Sequence, residues 1–166
     1  MPIRAEAATG GYDVFISYSR KDIGFARKLE STLESYVPPG DLGLPHRHLE
    51  VFRDEEDFTG TEYYQSVDKH LTQAAKLIVL CSPHARASTF VNDEIRRFAS
   101  SKSATNVITV LVSGVPNNES GPDREAEKAF PQALYEFMEM PRAISYAGFN
   151  VRSQKVDRGV FSSTTC

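Results

Sequence analysis

Short apolar runs that do not alternate in polarity constrain this chain most. Lys76-Leu77-Ile78-Val79-Leu80-Cys81 and Val107-Ile108-Thr109-Val110-Leu111-Val112 are apolar at nearly every position. A strand of that kind has both faces covered, which is the condition of a parallel sheet with helices on each side. Between the runs, apolar residues recur at helical spacing: Ile23, Ala26, Leu29, Leu33 and Val37, then Tyr63, Val67, Leu71 and Ala74. Strands and helices therefore alternate, and the parallel α/β class follows. Strands are expected at 12–17, 48–53, 77–81, 107–112 and, as an edge, 143–146. Helices are expected over 23–37, 63–74, 88–101 and 132–138. Ser19 or Asp22 can cap the first helix, Pro38-Pro39-Gly40 ends it, and Ser82-Pro83 signals a further helix start.

Length and composition narrow the class. A chain of 166 residues with 40% hydrophobic and 25% charged content reads as one soluble domain. Its net charge of −3 and scattered Lys and Arg argue against a nucleic-acid partner. No apolar stretch nears the roughly 18 residues of a membrane span, and the N-terminus lacks a signal-peptide core. A cytoplasmic location without membrane contact is expected. Residues 1–10 are expected to be a flexible tail, 11–150 the domain, and 151–166 a tail too polar to supply a last covering helix. Cys81 closes an apolar strand and Cys166 ends the chain, so a disulfide is not expected.

Several chemistries are excluded by missing motifs. There is no G-x-x-x-x-G-K-[ST], no G-x-G-x-x-G after the first strand and no G-x-S-x-G elbow. Ser17-Tyr18 and Cys81 stand where a phosphoryl-accepting receiver needs acids. His46 and His48 share a face but lack a third ligand nearby, and the acidic run Asp54 to Asp57 reads as a solvated loop. No metal is expected. Cys81 reads as a packed thiol rather than a nucleophile.

One acid stands out. Glu94 lies in Ser88-Thr89-Phe90-Val91-Asn92-Asp93-Glu94-Ile95, after a strand and a turn, near the carboxyl edge of the sheet where open α/β folds place ligands. Phe90 and Glu94 are four residues apart and share a helix side. From that spacing alone the plainer reading is favoured, with Phe90 in the core and Glu94 on the surface.

Three segments occur in order: Tyr12 to Ser19 at the first strand, Val51-Phe52-Arg53-Asp54 through Gly60 at the second, and Ser82-Pro83 through Ser88, Phe90 and Glu94-Ile95 at the third. Together they resemble the TIR (Toll/interleukin-1 receptor) domain, most like its bacterial members, over about residues 11–113. The resemblance implies a flavodoxin-like three-layer fold with a five-stranded parallel sheet in order 2-1-3-4-5. It also implies cleavage of NAD, as substrate and not as cofactor, at the nicotinamide glycosidic bond. On that match Glu94 is the catalytic residue, and Tyr18, Ser19, Arg20, Phe52, Asp54, Phe90 and Asp93 contact substrate. Arg53, Glu55, Glu56, Asp57, Phe58, Thr59 and Gly60 form the BB loop, which mediates association with other TIR domains. Phe90 replaces the tryptophan usual four residues before the glutamate. The products are ADP-ribose or a cyclic isomer, in immune defence or signalling; the alternative is a non-enzymatic adaptor acting through its BB loop.

Overall fold

The computed structural model describes residues 11–43, 46–53, 61–117, 121–145, 149–150 and 155–156, the side chains of 61–64, 149–150 and 155–156 excepted. The elements in chain order are β1 (Tyr12–Ser17), α1 (Ile23–Glu34), β2 (Val51–Arg53), α2 (Thr61–Gln73), β3 (Ala74–Cys81), α3 (Pro83–Ala87), α4 (Thr89–Lys102), β4 (Val107–Leu111), α5 (Leu134–Phe137) and β5 (Ile144–Ser145). A two-residue antiparallel pair, β6 (Phe149–Asn150) with β7 (Lys155–Val156), follows. β1 to β5 form one sheet in the order β2-β1-β3-β4-β5, and each pair of neighbours is parallel. This is the expected flavodoxin-like architecture.

Both sheet faces are packed, as the non-alternating runs require. Phe15, Leu77, Val79 and Cys81 meet Val67 and Leu71 of α2, and Val91, Ile95 and Phe98 of α4, on one face. Val14, Ile16, Ile78, Leu80 and Val110 meet Ala26, Leu29 and Leu33 of α1 on the other. Phe15, Leu77, Val79, Leu80 and Phe98 are fully buried, each contributing about 1.5–3 kcal/mol of apolar transfer energy.

Several boundaries differ from those the sequence predicts. Helix α1 stops at Glu34, three residues before Val37, where Ser35 turns its hydroxyl back on the carbonyls of Ser31 and Thr32. Strand β2 is only Val51–Arg53, because just upstream Arg47 and the Glu50 N–H are drawn to the Asp13 carboxylate. Strand β3 starts at Ala74, directly after α2, so Ala74 belongs to the sheet and pairs with Tyr12. The expected single helix over 88–101 is preceded by a separate short one. Ser82 caps α3 through the Ala85 N–H, with Pro83 in its first turn, and Ser88 caps α4 through the Val91 N–H.

Candidate functional site

The chain leaves β1 toward β2 on one side and returns to β3 on the other, so the topological switch lies between the carboxyl ends of β1 and β3. Side-chain alternation along β1 sends Val14 and Ile16 toward α1, and Phe15 and Ser17 toward the face that carries α4. On α4, Val91, Ile95 and Phe98 form the inward stripe. Glu94, three residues after Val91 and four before Phe98, falls within it.

The two polar residues meet there. The Ser17 hydroxyl donates to Glu94 Oε2 at 2.5 Å, with Ser17 fully buried and Glu94 only 6% exposed. Taking a carboxylate out of water is costly unless hydrogen bonds replace its hydration, and a charge-assisted O–H donor is a strong replacement. The plainer reading of the spacing is thereby overturned. Glu94 is buried and Phe90 is 51% exposed, the reverse of a core aromatic with a surface acid.

A second side-chain bond crosses the same switch point. Ser82, fully buried at the end of β3, donates to Asp22 Oδ2 at 2.5 Å while capping α3. Asp22 therefore occupies the N-cap position of α1 without bonding its backbone; its carboxylate is held by Ser82 instead. Ser19 caps the preceding 3-10 turn through the Lys21 N–H.

The residues implied by the resemblance divide by position. Tyr18 follows Ser17, its hydroxyl accepting from Arg53 Nη1 at 3.1 Å and its ring lying 5.9 Å from the Arg53 guanidinium carbon. Arg53 points inward, 8% exposed, and also pairs with Glu30 of α1. Burial pulls the Arg53 pKa down, but the hydrogen bonds to Tyr18 and Glu30 outweigh it and hold the guanidinium firmly charged. Arg53, the first residue of the expected BB loop, thus links the end of β2 to α1 and to Tyr18. Phe52 stacks on His70 at 3.9 Å and packs against Tyr12 and Phe15, placing its ring in an aromatic cluster between β1, β2 and α2. Asp93 is ion-paired with Arg97, which also reaches Asp68 of α2. Arg20 is exposed at the start of the 3-10 turn. Asp54, Glu55, Glu56, Asp57, Phe58, Thr59 and Gly60 lie outside the described residues, as do the two tails of the chain apart from β7.

Ser17 and Asn92 are the residues that the sequence reading missed. Strand alternation from Phe15 puts the Ser17 hydroxyl on the Phe15 face, a signal present in the sequence. Asn92, 9% exposed, donates to the carbonyls of Arg86 and Ser88 and accepts from the Ala133 N–H at 2.9 Å, tying the start of α4 to the lead into α5.

Among the described residues the arrangement offers one buried carboxylate at the switch point and no accessible nucleophile beside it. Ser17 is inaccessible, and burial pushes the Cys81 thiol pKa far up, so the sulfur stays protonated and inert. Among the described residues no three His, Cys, Asp or Glu side chains gather as a metal site. No helix among them is long and apolar enough to cross a membrane.

Comparison with known proteins gives the family and agrees with the fold. The family description "TIR domain" matches residues 14–131. The NAD(+) hydrolase ApTIR of Actinoplanes sp. is 34% identical over 132 residues, covering 74% of this chain. The chain spans only 17% of that relative's length. Among solved structures, the TIR domain of the Toll-related receptor TRR-2 from Hydra magnipapillata superimposes with a TM-score of 0.54 at 17% identity, covering 93% of this chain and 99% of its own. The TIR domains of the activated Roq1 resistosome that recognises the effector XopQ do so with a TM-score of 0.54 at 16% identity, covering 92% and 96%. At those identities the two structures speak to the fold, while the family match extends over most of the sequence. The chain belongs to the TIR domain family.

Proposed function

We propose that this TIR domain cleaves NAD at the bond between nicotinamide and ribose, with Glu94 as its catalytic residue. The observation that carries the reading is the burial of that one carboxylate at the switch point of the sheet, held by Ser17. The 34%-identical relative named as an NAD(+) hydrolase supports it.

The chemistry suits a site with a single acid. Nicotinamide in NAD is bound as a cation, so when the C1′–N bond breaks, its electron pair moves to the ring nitrogen and the leaving group departs neutral. No general acid is needed, unlike the two-carboxylate hydrolysis of ordinary glycosides. Positive charge develops on the ribose instead. Glu94 accepts hydrogen bonds from the ribose hydroxyls and stabilises that charge, an interaction that strengthens toward the transition state. Phe90, exposed one turn earlier, offers an aromatic surface to the substrate. Water then adds to C1′ and releases a proton to give ADP-ribose; capture by a nucleophilic group of the same molecule gives a cyclic isomer. Self-association is the proposed activation, with the loop over residues 53–60 of one copy completing the pocket of another.

Incubation of concentrated protein with NAD, with nicotinamide followed by chromatography, tests the reading. Release by the wild type that rises in specific activity with protein concentration, and is lost in Glu94→Ala, is expected. No release at any concentration would leave the interaction-module reading in its place.

A further inference from the structure

We infer that Ser17 is a positioning residue for Glu94, acting through the carboxylate rather than on substrate; the inference rests on the NAD-cleaving reading. Around Ser17 the sheet surface is apolar: Phe15 beside it, and Leu77, Val79 and Cys81 on β3, with Ser17 paired in register with Val79. A hydroxyl at that place has no water to meet, since Ser17 is fully buried. Its Oγ is directed at Glu94 Oε2, 77 residues away in sequence, at a distance in the charge-assisted range.

A glutamate side chain has three rotatable bonds, and a catalytic carboxylate is useful only if its oxygens are already aimed when charge develops. Packing between Val91 and Phe98 sets where Glu94 enters the crevice. The Ser17 bond then fixes the plane of the carboxylate, using one of its roughly four acceptor positions. Because β1 is an interior strand, paired with β2 through Ile16 and with β3 through Ser17 itself, the hydroxyl is mounted on a constrained backbone. Burial keeps Oγ away from substrate, which separates this role from that of a nucleophile.

The test uses the full chain with NAD and compares wild type, Ser17→Ala, Ser17→Thr and Glu94→Ala, with kcat and KM resolved separately and thermal unfolding measured on each. Ser17→Ala removes the donor at almost constant volume. A kcat lower by about 10- to 100-fold with KM within about twofold is expected, in a protein that unfolds at a lower temperature than wild type but is fully folded at the assay temperature. Ser17→Thr, which restores the hydroxyl, is expected to recover most of kcat. Wild-type kcat in a folded Ser17→Ala protein overturns the positioning role alone. So does a loss in Ser17→Ala that appears in KM and not in kcat, as does a well-folded Ser17→Thr with no recovery. An inactive wild type, or an active Glu94→Ala, overturns the underlying reading and this inference with it.

Discussion

Two polar clusters flank the short helix α3, and they solve opposite problems. On the inner side, Ser17 with Glu94 and Ser82 with Asp22 stitch β1 and its loop to the segments after β3, and three of the four side chains belong to buried residues. On the outer side, the loop after β4 returns along α3, and Glu125 pairs with both Arg86 and Lys128 while its side chain stays 55% exposed. Gly114 makes that return possible: its φ is +80°, and a Cβ there would sit 2.4 Å from the Glu127 carbonyl oxygen. The inner pairs lose a partner to no solvent; the outer pairs lose one to water. Buried polar groups are therefore where function and fold are most sensitive, although the outer cluster carries more formal charge.

That contrast orders the expected effects. The largest is on activity: Glu94→Ala should lower nicotinamide release about 10²- to 10³-fold, by analogy with removal of one preorganised transition-state contact. Arg53→Ala comes next, on stability. It strips a buried guanidinium from Glu30 and Tyr18 and should cost about 2–4 kcal/mol in denaturant unfolding, toward the lower part of the range for buried pairs because Glu30 is partly exposed. Asn92→Ala leaves the Ala133 N–H without its acceptor and should cost about 1–3 kcal/mol by the same measurement. Glu125→Ala should leave the unfolding midpoint within experimental error. Hydrogen bonds from Lys128 and Arg86 hold the Glu125 carboxyl below its ordinary pKa, so its contribution is present at neutral pH and fades as pH falls through the carboxylate range. A midpoint that drops more for Glu125→Ala than for Arg53→Ala would break the comparison.

Much of this was legible in the sequence, and the exceptions share a cause. The run Leu77 to Cys81 announced a doubly covered strand, and Ser82-Pro83 and Ser88 are both real caps, although they start two helices rather than one. Glu94 was singled out by its neighbours at three strands, but its burial was not: the spacing with Phe90 favoured a surface acid, and only the packed Val91, Ile95 and Phe98 stripe shows it turned inward. Ser17 could not be chosen as its partner from sequence, because which helix covers which face of β1 is settled by long-range packing. Asp22 shows the same limit: it has the right chemistry and place for a cap, yet a hydroxyl 60 residues away claims its carboxylate. The burial of Arg53 was not legible either, because a short edge strand gives no sign of which arginines turn inward.

The central claim is that Glu94 works by its charge, as a buried anion facing a developing ribosyl cation. Glu94→Gln tests it most directly, since the amide keeps the size of the side chain and an oxygen to accept the Ser17 hydrogen bond while removing the charge. Single-turnover release of nicotinamide by a folded Glu94→Gln protein is predicted to fall nearly as far as in Glu94→Ala. Release at the wild-type rate by Glu94→Gln would contradict the account.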